Sequence, residues 1–212
     1  MSNNEGNKTR VILIRHTNTG FHGVYFLGRT DVPITEEGTR HAKQIGQLLK
    51  DMRIDKIYSS KLRRSIMTAE EIAKPHGLDV EHMEELNEMA FGVMDGKTGE
   101  EIEKEHPGLI EERKKDKQNF RPPGGGESYA DVRERIIPVF MKLFEKHKGE
   151  TVIAVIHSLL MKVIFREVTG KYPEESSQYI GFGCRMYFEK PGGGEIKLVK
   201  VENDRELESK IV

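Results

Sequence analysis

Val11-Ile12-Leu13-Ile14-Arg15-His16-Thr17 decides the fold. Four branched apolar residues in succession describe a strand buried on both faces, the pattern of a parallel sheet inside an α/β protein. The run stops at Arg15 and His16, which places a cation and an imidazole at the strand's carboxyl end. Open α/β sheets bind their ligands along that edge. Thr151 to Ile156 (TVIAVI) repeats the design and ends on His157. A shorter apolar run, Ile54 to Tyr58, ends in Ser59-Ser60, and Arg64 follows on the first turn of the next helix. Neighbouring parallel strands lie about 4.8 Å apart, so the three strand ends can converge on one pocket.

The elements between these strands follow from periodicity and punctuation. Residues 1–9 are expected to be a disordered tail. Residues 17–35 form a long loop broken by Gly20, Gly23, Gly28 and Pro33, and a loop of that length in a compact domain is a functional candidate. Thr35 caps a helix that buries Ala42, Ile45, Leu49 and Met52. A second helix runs from Lys61 to Lys74, and Asp79 to Met83 is a weaker strand. Short helices are expected near 98–105 and 108–118, inside a cap or flap over about 97–126. A long helix spans Glu127 to Lys148 with Val132, Ile136, Val139 or Phe140, and Leu143 inward, and Pro138 should kink it. Another helix reaches about Thr169. Segments near 182–189 and 195–202 then flank Pro191-Gly192-Gly193-Gly194 as a hairpin. The sum is a single α/β domain, a three-layer α/β/α sandwich whose mixed sheet is mainly parallel with an antiparallel edge hairpin.

Composition narrows the function. The 212 residues carry 34 Lys and Arg against 35 Asp and Glu, a net charge of -1, without the basic excess a nucleic-acid footprint needs. Cys184 stands alone, so no internal disulfide forms, and no Cys/His zinc spacing exists. No apolar run reaches membrane-spanning length, and the polar start lacks the apolar core of a secretion signal. A soluble cytoplasmic protein without nucleic-acid or membrane partners is the expectation. The edge hairpin leaves a homodimer open.

Two imidazoles, His16 and His157, beside two guanidiniums suit a phosphoryl group. Arginine forks bind its oxygens bidentately and hold its charge as that charge redistributes. A neutral histidine can attack phosphorus, and a carboxylic acid is needed to protonate the leaving alkoxide. Arg63 and Arg64 point about 100° apart on a helix, so only one of them faces the pocket. His22 and Arg29 lie in the long loop and are open either to substrate contact or to plain surface roles. The basic run from Arg113 to Arg121 reads as a solvated helix face, or as a cap whose cations hold a second anionic group.

Arg15-His16-Thr17, Ser60-Lys61-Leu62-Arg63-Arg64, Leu86-Asn87-Glu88 with Gly92 and Gly96, Pro122-Pro123-Gly124-Gly125-Gly126-Glu127-Ser128 and His157 together resemble the histidine phosphatase superfamily, in its phosphoglycerate mutase-like branch. Gly28, Asp31, Pro33 and Gly38 match its loop pattern. The resemblance implies that His16 becomes a phosphohistidine and that Glu88 is the proton donor. It implies a phosphate clamp of Arg15, Arg64 and His157, with Arg64 rather than Arg63 inward and no cofactor or metal. His22, Gly28, Arg29 and Ser158 are the candidate substrate contacts. The chain departs from the pattern at Thr17 and Ser158, where glycine is usual, at Lys61, where aspartate is common, and at His22, where mutases carry asparagine. Met94-Asp95 replaces an aromatic-acid pair. The short stretch from Glu88 to Gly124 favours a phosphatase acting on a small phosphorylated metabolite over a mutase. A catalytically idle phospho-ligand binder is the remaining alternative.

Overall fold

The computed structural model describes residues 8–21, 25–176 and 179–204. Its strands are β1 (Lys8–Arg15), β2 (Tyr25–Phe26), β3 (Lys56–Ser60), β4 (Val80–Met83), β5 (Lys97–Thr98), β6 (Thr151–Ile156), β7 (Arg185–Pro191) and β8 (Lys197–Glu202). Its α-helices are α1 (Glu36–Leu49), α2 (Arg63–Ala73), α3 (Gly99–Glu105), α4 (Leu109–Lys115), α5 (Tyr129–Lys146) and α6 (Ser158–Thr169). Six strands make the central sheet in the order β4-β3-β6-β1-β7-β8. The first four are mutually parallel, and β7 and β8 close one side as an antiparallel hairpin. This is the expected mixed sheet.

The opening heptapeptide is buried on both faces, as its composition requires. Val11 and Leu13 join a core with Val132, Ile136 and Phe140 of α5 and Leu160 and Ile164 of α6. Ile12 and Ile14 join the other core, with Ile45 and Leu49 of α1 and Ala69 and Ile72 of α2. Strand β6 splits in the same way, with Val152, Ala154 and Ile156 on one side and Ile153 and Val155 on the other. Each face therefore removes a continuous apolar layer from water, the main favourable contribution to folding. A third, smaller cluster of Met94, Ile102 and Leu109 seats α3 and α4, with Phe26 and Phe91 against it.

Three expectations need correction. Lys8 and Thr9 do not belong to a disordered tail: they extend β1 and pair with Pro191 and Lys190 of β7. Glu189 explains it, because it holds both Lys8 at 2.9 Å and Arg10 at 2.6 Å across the ladder. Residues 1–7 lie outside the described residues. Strand β3 starts two residues later than Ile54, and Asp55 instead receives the Thr151 N–H at 2.9 Å. The loop after His16 also holds β2, which pairs with β5 and ties that loop to the segment bearing α3 and α4. Helix α5 continues through Pro138, which sits on an exposed face where the lost N–H leaves the buried stripe intact. Among the described residues no helix is long and apolar enough to cross a membrane.

Candidate active site

Strands β1 and β6 lie side by side in parallel, with Arg15 opposite Ile156. The residue after each strand is a histidine, and the His16 N–H donates to the Ile156 carbonyl at 3.0 Å. The two imidazoles are consequently neighbours, with ring centroids 5.2 Å apart. Both are buried.

His16 Nδ1 lies 2.9 Å from the Thr17 carbonyl oxygen. A carbonyl only accepts, so Nδ1 carries the proton and Nε2 keeps its lone pair. Burial first, then Arg64 and Arg15, hold the His16 pKa well below 6.5, against the opposing pull of the Thr17 bond. The ring is neutral at physiological pH. His157 Nε2 meets the Ser60 hydroxyl at 2.8 Å and that of Ser65 at 3.3 Å. Ser60 Oγ also accepts the Leu62 N–H at 3.3 Å, so the hydroxyl is held between the helix entrance and the imidazole. Burial and the cations Arg64 and Arg15 again favour the neutral ring.

Arg64 is the inward arginine of α2 and Arg63 is exposed. The Arg64 guanidinium is fixed by two carbonyls, donating to Gly28 O at 2.6 Å and Thr30 O at 2.8 Å. Burial lowers its pKa to about 10, so it remains a cation. Asp31 of the same loop accepts the Arg63 N–H at 2.7 Å and so caps α2. Arg15 donates to Ile180 O at 2.9 Å and lies over the Phe182 ring, 4.1 Å from its centroid.

Glu88 follows a 3-10 turn after β4 and is buried. Its oxygens accept the Met89 N–H at 2.9 Å and the Leu159 N–H of α6 at 3.3 Å. Burial raises its pKa above 4.5, although those amides and the cations Arg64 and Arg15 favour the carboxylate. Two buried nitrogens of the group, Arg64 Nε and His157 Nδ1, have no hydrogen-bond partner among the described residues. A buried unpaired polar group is costly, and an anionic oxygen would satisfy both with the His157 proton on Nδ1. Neutral imidazoles between cations, with a carboxyl group biased toward its acid form, make an arrangement able to bind, attack and protonate a phosphoester.

The other sequence candidates take varied places. Gly28 acts through its carbonyl on Arg64. Arg29 braces the Glu88 backbone, donating to the Glu88 carbonyl and to Glu127 Oε2, each at 3.2 Å. Ser158 opens α6 directly after His157. His22 lies outside the described residues. Of the basic run, Arg113 rests among aromatic rings, 5.3 Å from the Phe91 centroid, while Arg121 pairs with Asp131. Lys115 and Lys117 line a groove of about 520 Å³ together with Tyr129 and Tyr172.

Sequence reasoning missed the clip behind Glu88. Glu127 accepts the Ala90 N–H at 2.9 Å and binds both Arg29 and Arg135. Arg135 in turn donates to the carbonyls of Glu85 and Asn87. Asn87 Oδ1 takes the Lys61 N–H, joining the acid loop to the entrance of α2. The glycine-rich Pro122–Ser128 motif thus holds Glu88 in place from behind. Only chain folding brings these groups together, so no local spacing signals them.

With fold and site in view, the chain belongs to the histidine phosphatase superfamily (branch 1), whose family model matches residues 11–204. It is similar to phosphoserine phosphatase 1 of Hydrogenobacter thermophilus, at 31% identity over 82% of each chain. It shares its fold with a Bacillus anthracis phosphoglycerate mutase, at a TM-score of 0.80 and 20% identity over 100% of both chains. A mycobacterial glucosyl-3-phosphoglycerate phosphatase superposes with a TM-score of 0.77 and 23% identity, covering 90% of this chain and 97% of that one.

Proposed function

We propose that this protein is a phosphomonoesterase that hydrolyses a small phosphorylated metabolite in the cytoplasm through a phosphohistidine on His16. In the first step Nε2 attacks phosphorus in line, an N–P bond forms, and the P–O ester bond breaks. Glu88 gives its proton to the departing alkoxide. In the second step water attacks phosphorus, Glu88 takes the water's proton, and the N–P bond breaks to release inorganic phosphate and neutral His16. Arg15, Arg64 and the His157 Nδ1–H stabilise the three equatorial oxygens throughout, the largest contribution in phosphoryl transfer.

The observation that carries this reading is the His16 tautomer. Its Nδ1–H is committed to Thr17 O, which leaves Nε2 as a nucleophile beside two fixed cations. The phosphoserine phosphatase relative supports a small phosphorylated substrate. The test is rapid acid-free quenching during turnover of amino-acid, sugar and glycerate phosphates, followed by mass spectrometry. An acid-labile phosphoryl adduct on His16 is expected. His16→Ala should lose about four or more orders of magnitude in rate. Near-normal turnover by that variant overturns the assignment. Faster interconversion of 2- and 3-phosphoglycerate than release of phosphate would make the enzyme a mutase instead.

A further inference from the structure

Behind the candidate site, on the side away from Glu88, lies a buried charged group with no part in the chemistry above. Arg185, the first residue of β7, places Nη1 and Nη2 on the two Asp204 oxygens at 2.6 and 2.8 Å. His41 of α1 approaches Asp204 Oδ2 at 2.9 Å through Nε2. Arg185 and His41 are both buried, and Glu202 closes the group at 3.3 Å from Arg185 Nε. A fork pairing with carboxylate on two bonds fixes orientation as well as charge.

This group backs one short turn. Arg185 Nη1 also donates to Gly183 O at 3.2 Å, and Asn203, next to Asp204, accepts the Gly181 N–H at 3.1 Å. The His41 imidazole is packed so tightly on Gly183 that a Cβ there would stand 2.5 Å from its Cε1, and the residue adopts φ +70. Only glycine fits that place without strain. On its other side the turn is stitched to the catalytic strand end. Gly183 N–H donates to Arg15 O at 3.1 Å, and the Arg15 N–H donates to Cys184 O at 2.9 Å. The turn and the residue before it present two groups to the Arg15 guanidinium, the Phe182 ring and the Ile180 carbonyl. The same ring lies 5.7 Å from that of His16.

We propose that Arg185, Asp204 and His41 are positioning residues that set the Gly181–Cys184 turn, and through it hold the Arg15 guanidinium and the Phe182 ring where they meet the reacting phosphoryl group. The inference rests on the reading of Arg15 as a phosphate ligand. None of the three residues touches substrate. Their effect passes through Arg15, so it must vanish when Arg15 is gone.

That requirement gives the test. Inorganic phosphate binding is measured by calorimetry for the wild type, Asp204→Asn, Arg15→Ala and the double variant, with melting curves confirming that each is folded. The expected result is a loss of phosphate affinity in Asp204→Asn of about tenfold, the scale of coupling between groups in one network. In the Arg15→Ala background the same substitution should change affinity less than about twofold. His41→Ala, which removes the ring behind Gly183 without leaving a charge unpaired, should shift affinity in the same direction. It serves as the readout if Asp204→Asn does not fold. Wild-type affinity in Asp204→Asn or, where that variant is unfolded, in His41→Ala overturns the positioning role and leaves the phosphatase reading standing. A loss of equal size with and without Arg15 also overturns it, since the group would then act as general support. Absence of phosphate binding by the wild type removes both readings together.

Discussion

A histidine that attacks phosphorus must be neutral, and here the arginines that would hold the phosphoryl group also keep it so. Arg64 and Arg15 both oppose a positive charge on His16, adding to the effect of burial. Glu88 is pushed in the opposite direction by burial, toward the protonated form that can act as an acid. Protonating His16 should therefore limit the first step on the acid side, below pH 6.5. Ionisation of Glu88 should limit it on the alkaline side. Glu88→Gln keeps the shape and one of the two backbone contacts, since its carbonyl oxygen can accept from Met89 or Leu159 but its NH2 cannot accept from the other, and it has no acidic proton to give. Its kcat should fall by about 10²- to 10⁴-fold with KM little changed, and the alkaline limb of the pH profile should disappear. An alkaline limb that survives the substitution would assign the acid to another group. At this scale the sequence was most readable where a strand stopped on a charged or polar residue, as at Arg15-His16 and His157. The two serines that meet His157 Nε2 were not readable as its joint partners. Ser60 ends a different strand and Ser65 begins the next helix, and only the fold brings both to one nitrogen.

The element that positions Glu88 is irregular, and tight backbone contacts hold it. Residues 85–95 form short 3-10 turns around Glu88 and are pinned by the Pro122–Ser128 segment. Gly92 sits at φ +59, and a Cβ there would stand 2.0 Å from the Pro123 carbonyl. Gly92→Ala combines a strained φ with a backbone clash, so a loss of about 1–3 kcal/mol is expected. For a chain of this size that is a fall in melting temperature of about 2–4 °C per kcal/mol. Activity measured well below the melt should drop as well, because the clash pushes apart the two segments that locate Glu88. An alanine variant that melts with the wild type and keeps its rate would show that this contact is not needed. The long elements were legible because their apolar periods are strong: α1, α5, β1 and β6 all lie within two or three residues of expectation. β2 and β5 were not, since two-residue strands carry no period. The placement of Lys8 and Thr9 depends on Glu189, far along the chain.

For the molecule as a whole, the same two imidazoles that form the site should make stability depend on pH. His16 and His157 have native pKa values held below 6.5, mainly by burial, whereas the unfolded chain titrates near 6.5. Below that pH the unfolded state binds two protons that the native state refuses, so stability is complete above it and is lost as pH falls. Glu88 works in the opposite sense. Its raised native pKa lets the folded chain keep a proton above 4.5 that the unfolded chain releases, which offsets one histidine where the windows overlap. The slope from His16, His157 and Glu88 together should be about 1.4–2.7 kcal/mol per pH unit below the histidine range. Asp131 and Asp204, held well below 3.8 largely by their Arg121 and Arg185 partners, contribute nothing there, because both stay ionised in each state until far more acid conditions. Calorimetric melts between about pH 7.5 and 5.5 should show the decline. His157→Asn should remove about 1.4 kcal/mol per pH unit from the slope, whatever it does to stability at neutral pH. A melting temperature flat across that range would mean that the imidazoles accept protons in the native state. His16 could not then remain the neutral nucleophile on which the proposed reaction depends.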